Sequence, residues 1–268
     1  YIAKFSSLNT LSWGTYIGGS GNEIFNDLEL FGDGRVAFAG SGTGSLTEKN
    51  SAASRSTGSD FDGILGVLNS GGTAFNYLDE VGGGQDDKIN DLVIKGTSLF
   101  WTGIAGSGFP TASGAYDVSH NGGTDAIVGS VSEVGGSGSW RATYFGGSGN
   151  DLGSGIQRVE QTKCDGSVEG FLLVFGTCEA GIPTKNINGD PFFDATNNGG
   201  LDMFFAGFDD DVTALQYATN IGGQYNDYLG DTGEPRGGNH LWVKGANIYV
   251  GTTTHSASHS PPIVGNTG

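Results

Sequence analysis

The chain has 268 residues, of which 51 are glycine, 15% are charged and 11% are aromatic. Glycine lies far above its ordinary ~7 %, yet the aromatic content can build a core and the charge content is unlike that of a disordered chain. Acids number 29 against 12 bases, and the net charge of −17 repels nucleic acid and anionic lipid, both of which need Lys and Arg to displace counterions.

No apolar run reaches the ~18 residues of a membrane-spanning helix, so no span is expected. The opening "YIAKF" reads as the middle of a strand, which suits a processed or partial chain. Residues 1–7 ("YIAKFSS") and 11–17 ("LSWGTYI") are the first two predicted strands. A glycine phrase follows, "YIGGSGNEIFNDLEL" at 16–30. It returns as "EVGGGQDDKINDLVI" at 80–94, "YFGGSGNDLGSGIQR" at 144–158 and "NIGGQYNDYLGD" at 220–231. Alone, "FGGSGNDLG" at 145–153 has the spacing of the calcium-binding nonapeptide of parallel β-helices. Its first glycines, Gly18, Gly82, Gly146 and Gly222, are 64, 64 and 76 residues apart. A β-helix would repeat the phrase about every nine residues. That reading is excluded.

Each long unit carries four strand-like segments. The first strands are predicted at 26–31, 90–95, 155–159 and 240–244. Tight turns follow, "GDG" at 32–34 and "GA" at 245–246, while the third unit has a longer surface insertion, "QTKCDGSVEG". The second strands, at 35–40, 98–103, 171–176 and 247–251, all end on glycine. A long Gly/Ser/Thr/Pro loop leads to a third strand opening at Asp62, Asp125 or Asp202, and a fourth at 75–81, 140–145 or 215–221. No window has a useful helical period. Four antiparallel strands in constant phase predict an all-β fold, a β-propeller of four-stranded blades. Residues 1–25 then end one blade, 26–81, 90–145 and 154–221 are whole blades, and 232–268 start another. The result is a single domain of about four repeats, expected to belong to a larger propeller and to be linked to further blades or domains.

The phrases "TYIGGSGNEIFNDLEL…GDGRVAFAG", "FPTASGAYDVSHNGGTDAIVGSV" and "YIAKFSSLNTLSWGTYIGGSGN" resemble the SBBP family, the bacterial "seven-bladed β-propeller" repeat, over essentially the whole chain. The fourth unit departs from the pattern, with "DYLGDTGEPRGGNH" placed before its first strand. The resemblance implies large secreted or surface-exposed proteins, many from Bacteroidota and often exported by the type IX system. It implies an extracellular or cell-surface location and a non-catalytic role in adhesion or scaffolding. Partners would be proteins or polysaccharides at the cell surface. The family supplies no catalytic motif to transfer.

Among candidate sites, the corner acids Glu23, Asp87, Asp151 and Asp227 occur once per unit, preceded by Asn22, Asp86, Asn150 and Asn226. Together with loop carbonyls they could ligate Ca²⁺. The competing reading is that each caps loop N–H groups at a tight corner, and recurrence in every unit favours it. No metal or other cofactor is therefore assigned. The same logic makes Asp62, Asp125 and Asp202 backbone acceptors. The tryptophans Trp13, Trp101, Trp140 and Trp242 occupy different strand positions and are expected between sheets rather than on sugar platforms. His120, His240, His255 and His259 form no metal motif, and HExxH, G-x-S-x-G and Walker patterns are absent. Asp86–Asp87 and Asp209–Asp211 could imitate glycosidase acids, which keeps a carbohydrate-active propeller as the alternative function. Cys164 and Cys178 are expected to be unbridged, because a strand separates them by more than a disulfide spans.

Overall fold

The computed structural model describes residues 1–44, 46, 60–134, 139–187, 189, 193–228, 241–244, 247–251 and 253–254. Among them every regular element is a strand, and no helix is long and apolar enough to cross a membrane. The first sheet contains β3 (Glu23–Leu30), β4 (Val36–Gly42), β5 (Asp62–Leu68) and β6 (Phe75–Val81). The second contains β7 (Lys88–Lys95), β8 (Ser98–Ala105), β9 (Asp125–Ser132) and β10 (Arg141–Phe145). In the third are β11 (Asp151–Thr162), β12 (Val168–Cys178), β13 (Asp202–Asp209) and β14 (Leu215–Ile221). In each, the strands pair antiparallel in simple chain order. Two hairpins flank them: β1 (Ile2–Ser7) with β2 (Thr10–Thr15), and β16 (Leu241–Lys244) with β17 (Asn247–Val250). A short pair, β15 (Asp227–Tyr228) with β18 (Thr253–Thr254), completes the set.

Strands buried on both faces show how the sheets stack. In β5, Leu65 and Val67 join a core with Ile89, Leu92 and Leu99 of the second sheet, while Ile64 and Leu68 join Ile2 and Ile17 on the opposite face. In β9, Ile127 faces that first core and Val128 faces Val174 and Phe204 of the third sheet. In β12, Phe175 turns to the last interface and packs with Leu241. Four apolar layers in series thus join hairpin, three sheets and hairpin.

The first strands are longer than 26–31, 90–95 and 155–159, because Glu23 and Asp151 already belong to the ladder. Each also carries a β-bulge, at Asn26, Asn90 and Ser154. The bulge explains the glycines that end the second strands. A Cβ on Gly40, Gly103 or Gly176 would collide with the carbonyl oxygen of Ile24, Lys88 or Leu152, two residues before the bulge.

The insertion "QTKCDGSVEG" takes regular form, lengthening both strands of its hairpin: the β11–β12 ladder runs out to Thr162 opposite Val168, and Gly166 at φ 83° closes a short turn. In the fourth unit Asp227 pairs with Thr254, and β16 pairs with β17 from Leu241 opposite Val250 to Lys244 opposite Asn247, close to the strand expected at 240–244. Most of the stretch "DYLGDTGEPRGGNH" lies outside the described residues. The turn at 245–246 and His240 lie outside the described residues.

The long loops return along the fourth strands. Ala112 N–H donates to Ala142 O, and Asp117 N–H to Thr143 Oγ1. In the third unit Lys185 pairs with Ala218, and Asp194 N–H donates to Thr219 Oγ1. These bonds cover edges that would otherwise offer unpaired backbone groups. Phe109 packs beside the Trp101–Trp140 pair and meets Tyr144 edge-on, and the Tyr144 hydroxyl donates to Gly106 O at 2.7 Å.

Gly103→Ala should lower stability by about 1–3 kcal/mol, the usual cost of overpacking. Urea denaturation checks this, and Gly96→Ala on an open turn is not an equivalent control because Gly96 has φ 61°. Gly32→Ala, with open space around it, should leave the midpoint nearly unchanged.

Candidate functional site

The corner acids sit at or beside the first residue of each first strand, where the chain leaves the glycine phrase. Each reaches back four residues to a glycine N–H: Glu23 to Gly19 at 2.8 Å, Asp87 to Gly83 at 2.5 Å, Asp151 to Gly147 and Asp227 to Gly223 at 2.6 Å. Asp87 also accepts from Gly106 N–H at 3.0 Å. The strand-opening acids do the same, Asp125 from Asn121 N–H at 2.8 Å and Asp202 from Asn198 N–H at 2.7 Å.

The structure brings these two sets of acids together. Asp62 and Asp87 lie over the Cα of Gly82, and Asp125 and Asp151 over that of Gly146, where any Cβ would strike a carboxylate oxygen. All four acids are buried, and Asp125 Oδ1 and Asp151 Oδ1 have no hydrogen-bond partner. Burial pushes the Asp87 carboxyl up to about 7 and Asp151 up to about 6, with the neighbouring acids Asp62 and Asp125 adding to it. Asp125 and Asp202 are raised for the same first reason. Among the described residues no group of three or more acids, His or Cys is placed to hold a metal ion.

Sequence reasoning missed a second set, buried at Asn90 and Asp91 and half-buried at Asn26 and Asp27. Asn26 Nδ2 donates to Ile89 O and Asn90 Nδ2 to Gly153 O, both at 2.8 Å. Asp27 Oδ2 accepts from Leu92 N–H at 3.0 Å, and Asp91 Oδ2 from Ile156 N–H at 2.7 Å. Each Asn–Asp pair ties the first strand of one sheet to that of the next. Burial, and then the Asp27 carboxyl beside it, hold Asp91 well above the usual carboxylate range. The signal was present: "IFNDLEL" and "KINDLVI" repeat the Asn–Asp pair at the 64-residue step.

The remaining candidates disperse. Trp101 and Trp140 are buried in the sheet interface, Trp13 donates to Ser70 O, and the side chain of Trp242 is outside the described residues. His120 lies in a loop against Gly123 O, whereas His255 and His259 are not described. Asp209 caps the N–H groups of Thr213 and Ala214, and Asp210 pairs with Arg158. Both cysteines are free, Cys164 exposed in a turn and Cys178 buried.

What does converge is an unrepeated polar cleft. Glu29 of β3, Lys95 of β7 and Gln157, Arg158 and Glu160 of β11 line a cavity of about 300 Å³ across three successive first strands. A second cavity of about 350 Å³ shares Lys95 and Arg158 and adds Ser98, Ser132, Arg141 and Asp211. Glu160 receives Lys95 at 2.9 Å and Arg158 at 2.8 Å, and these bonds hold its carboxyl below its ordinary value. Glu29 is pushed up, by desolvation first and by Asp27 second. Such a cleft presents alternating donors and acceptors to a hydroxyl-rich or mixed-charge ligand. In comparison with known proteins, the chain matches no family model and no curated protein.

A carboxyl raised in the folded state binds its proton more tightly there than in the unfolded chain. The stabilisation is complete below about pH 4, near the ordinary value of 3.8, and is lost as pH rises through about 6 for Asp151 and about 7 for Asp87. Asp151→Asn keeps an acceptor for Gly147 N–H and removes the ionisation that burial opposes. Its melting temperature should equal or exceed the parent's at pH 7.5, with the advantage vanishing toward pH 4, as calorimetry at several pH values will show.

Proposed function

We propose that the chain is a β-propeller module of the extracellular or cell-surface kind, non-catalytic, acting in adhesion, scaffolding or partner binding. Four observations support the architectural part: simple strand order within each sheet, serial face-to-face packing, first strands tied to first strands, and outer edges covered by loops. The sequence resemblance to the SBBP repeat supports the location.

One observation carries the functional part. The repeated polar chemistry is committed to backbone groups, so the unrepeated cleft around Lys95, Gln157, Arg158 and Glu160 is left as the place where a partner, protein or polysaccharide, would be read. A panel of immobilised polysaccharides and surface proteins tests this. Lys95→Ala and Gln157→Ala should weaken binding at least tenfold, about 1.4 kcal/mol, without shifting the melting temperature. Binding that ignores both substitutions would refute the cleft.

A second reading, a carbohydrate-active propeller, is favoured by one feature. Glu29 is raised and Glu160 lowered within the same cleft, the opposed tuning that an acid and its partner carboxylate require. Release of reducing sugar from a bound polysaccharide, abolished by Glu29→Gln, would establish it in place of the first.

A further inference from the structure

Two of the loops that lead into third strands repeat one phrase. "DVSHNGGTD" at 117–125 and "DATNNGGLD" at 194–202 both read Asp-x-Ser/Thr-x-Asn-Gly-Gly-x-Asp. Oxygen-bearing residues at the first, third, fifth and ninth places, with glycine at the sixth, have the spacing by which a short loop wraps Ca²⁺. Both loops are pinned at the same points. Asp117 N–H donates to Thr143 Oγ1 and Asp194 N–H to Thr219 Oγ1, and their carbonyls accept from Tyr144 N–H and Asn220 N–H on the fourth strands. The ninth residues, Asp125 and Asp202, open the third strands of the same sheets. Gly122 and Gly199, at the sixth place, lie so close to the next glycine phrase that a Cβ would strike Gly149 O or Gly223 O. A loop held this way is ordered before any ligand arrives, so binding costs little conformational entropy.

Within each loop the oxygens gather. Asp117 Oδ1 accepts from Ser119 N–H and Asp194 Oδ1 from Thr196 N–H, both at 2.8 Å. Asn121 Nδ2 donates to Asp117 Oδ2 and Asn198 Nδ2 to Asp194 Oδ2, again at 2.8 Å. The Asn121 amide also donates to Ser119 O at 3.0 Å, so its NH₂ stands among oxygens as a cation would. Turning the amide end for end presents Oδ1 in its place. A second observation, independent of the loop's own bonding, points to a ligand. The ninth carboxylates hold Asn121 N–H at 2.8 Å and Asn198 N–H at 2.7 Å through Oδ2. Their other oxygens, Asp125 Oδ1 and Asp202 Oδ1 at the base of the loops, have no hydrogen-bond partner although both residues are 0 % exposed. Among the described residues no Lys or Arg forms an ion pair with Asp117, Asp125, Asp194 or Asp202. Buried acids without a basic partner are matched by metal ions.

We propose that the loops 117–125 and 194–202 each bind one Ca²⁺, through the first, third, fifth and ninth side chains and the carbonyl of the seventh residue. Every donor is oxygen, which selects a hard cation. The mixture of carboxylate, hydroxyl, amide and carbonyl suits the irregular shell of Ca²⁺ better than the strict octahedron of Mg²⁺. Each loop supplies two acids and draws its other ligands from neutral oxygens, which is why, among the described residues, no group of three acids, His or Cys marks either place. The twelfth place, where a bidentate Glu would sit, holds Val128 or Phe205. With so few charges the affinity falls in the weak range of extracellular modules, about 10⁻⁴–10⁻³ M.

The inference rests on neither the propeller reading nor the cleft. For its test the unaltered chain, stripped with EDTA, is dialysed against about 5 mM CaCl₂ in about 0.15 M KCl. It should take up two Ca²⁺ per chain and melt several degrees higher than in EDTA, as an ion that binds the folded state alone requires. The same concentration of MgCl₂ should raise the melting temperature by less than half as much. Asp117→Asn and Asp194→Asn keep an acceptor for Ser119 N–H and Thr196 N–H. Each should remove one ion, and the double variant both, while the far-ultraviolet spectrum stays that of the parent. Should a variant not fold, uptake by the unaltered chain decides without it. No uptake there overturns the inference. So does uptake that a folded double variant retains in full, or that about 0.5 M KCl abolishes, because a diffuse ion atmosphere around an acidic chain behaves that way.

Discussion

Asp27 and Asp91 reach from the first strand of one sheet to a backbone N–H in the first strand of the next, and Asn26 and Asn90 reach to a carbonyl there. Adjacent sheets otherwise meet through apolar side chains, which attract without direction. The polar ties add direction, most strongly at Asp91, because a carboxylate withdrawn from water must find its donor. They fix how far each sheet slides on its neighbour. The bulge is what makes the reach possible, since an unpaired residue turns its side chain out of its own sheet. The bulge in turn admits only glycine on the strand opposite.

The corners follow a related logic with a different outcome. Two acids from different strands are buried over one glycine Cα, and loop N–H groups occupy only part of their acceptor capacity. With Asp151 raised to about 6 and Asp87 to about 7, protonation takes the role that a basic side chain would have in an ordinary buried pair. A chain with only 12 bases has few such side chains to place there.

Much of this was legible in the residues. The 64-residue step, the aspartates that open third strands and the glycines that close second strands mark the sheets because each is required by a local geometry that recurs. The Asn–Asp ties were harder to read, since a strand pattern shows only which face a side chain takes and not that a bulge has turned it toward another sheet. The cleft was not readable at all. Glu29, Lys95 and Glu160 lie in different units at positions that share no motif, and only stacking brings them together. The "QTKCDGSVEG" insertion was legible as extra length but not as ladder, because strand pairing persists wherever cross-strand partners continue.

The third sheet breaks the series of ties. Where the first two have Asn–Asp, it has Ser154, whose hydroxyl lacks a partner, and Gly155, which has no side chain to offer Leu241. The β16–β17 hairpin therefore rests on its neighbour through apolar contacts such as Leu241 with Phe175 and Met203. Opening free energies within one folded chain vary from segment to segment, and of the three steps from one first strand to the next this is the one without an Asn–Asp tie. The amide protons of β16 and β17 should therefore trade with solvent before those of β7 and β8. Two steps of the stack are latched, and the third is held by pressure alone.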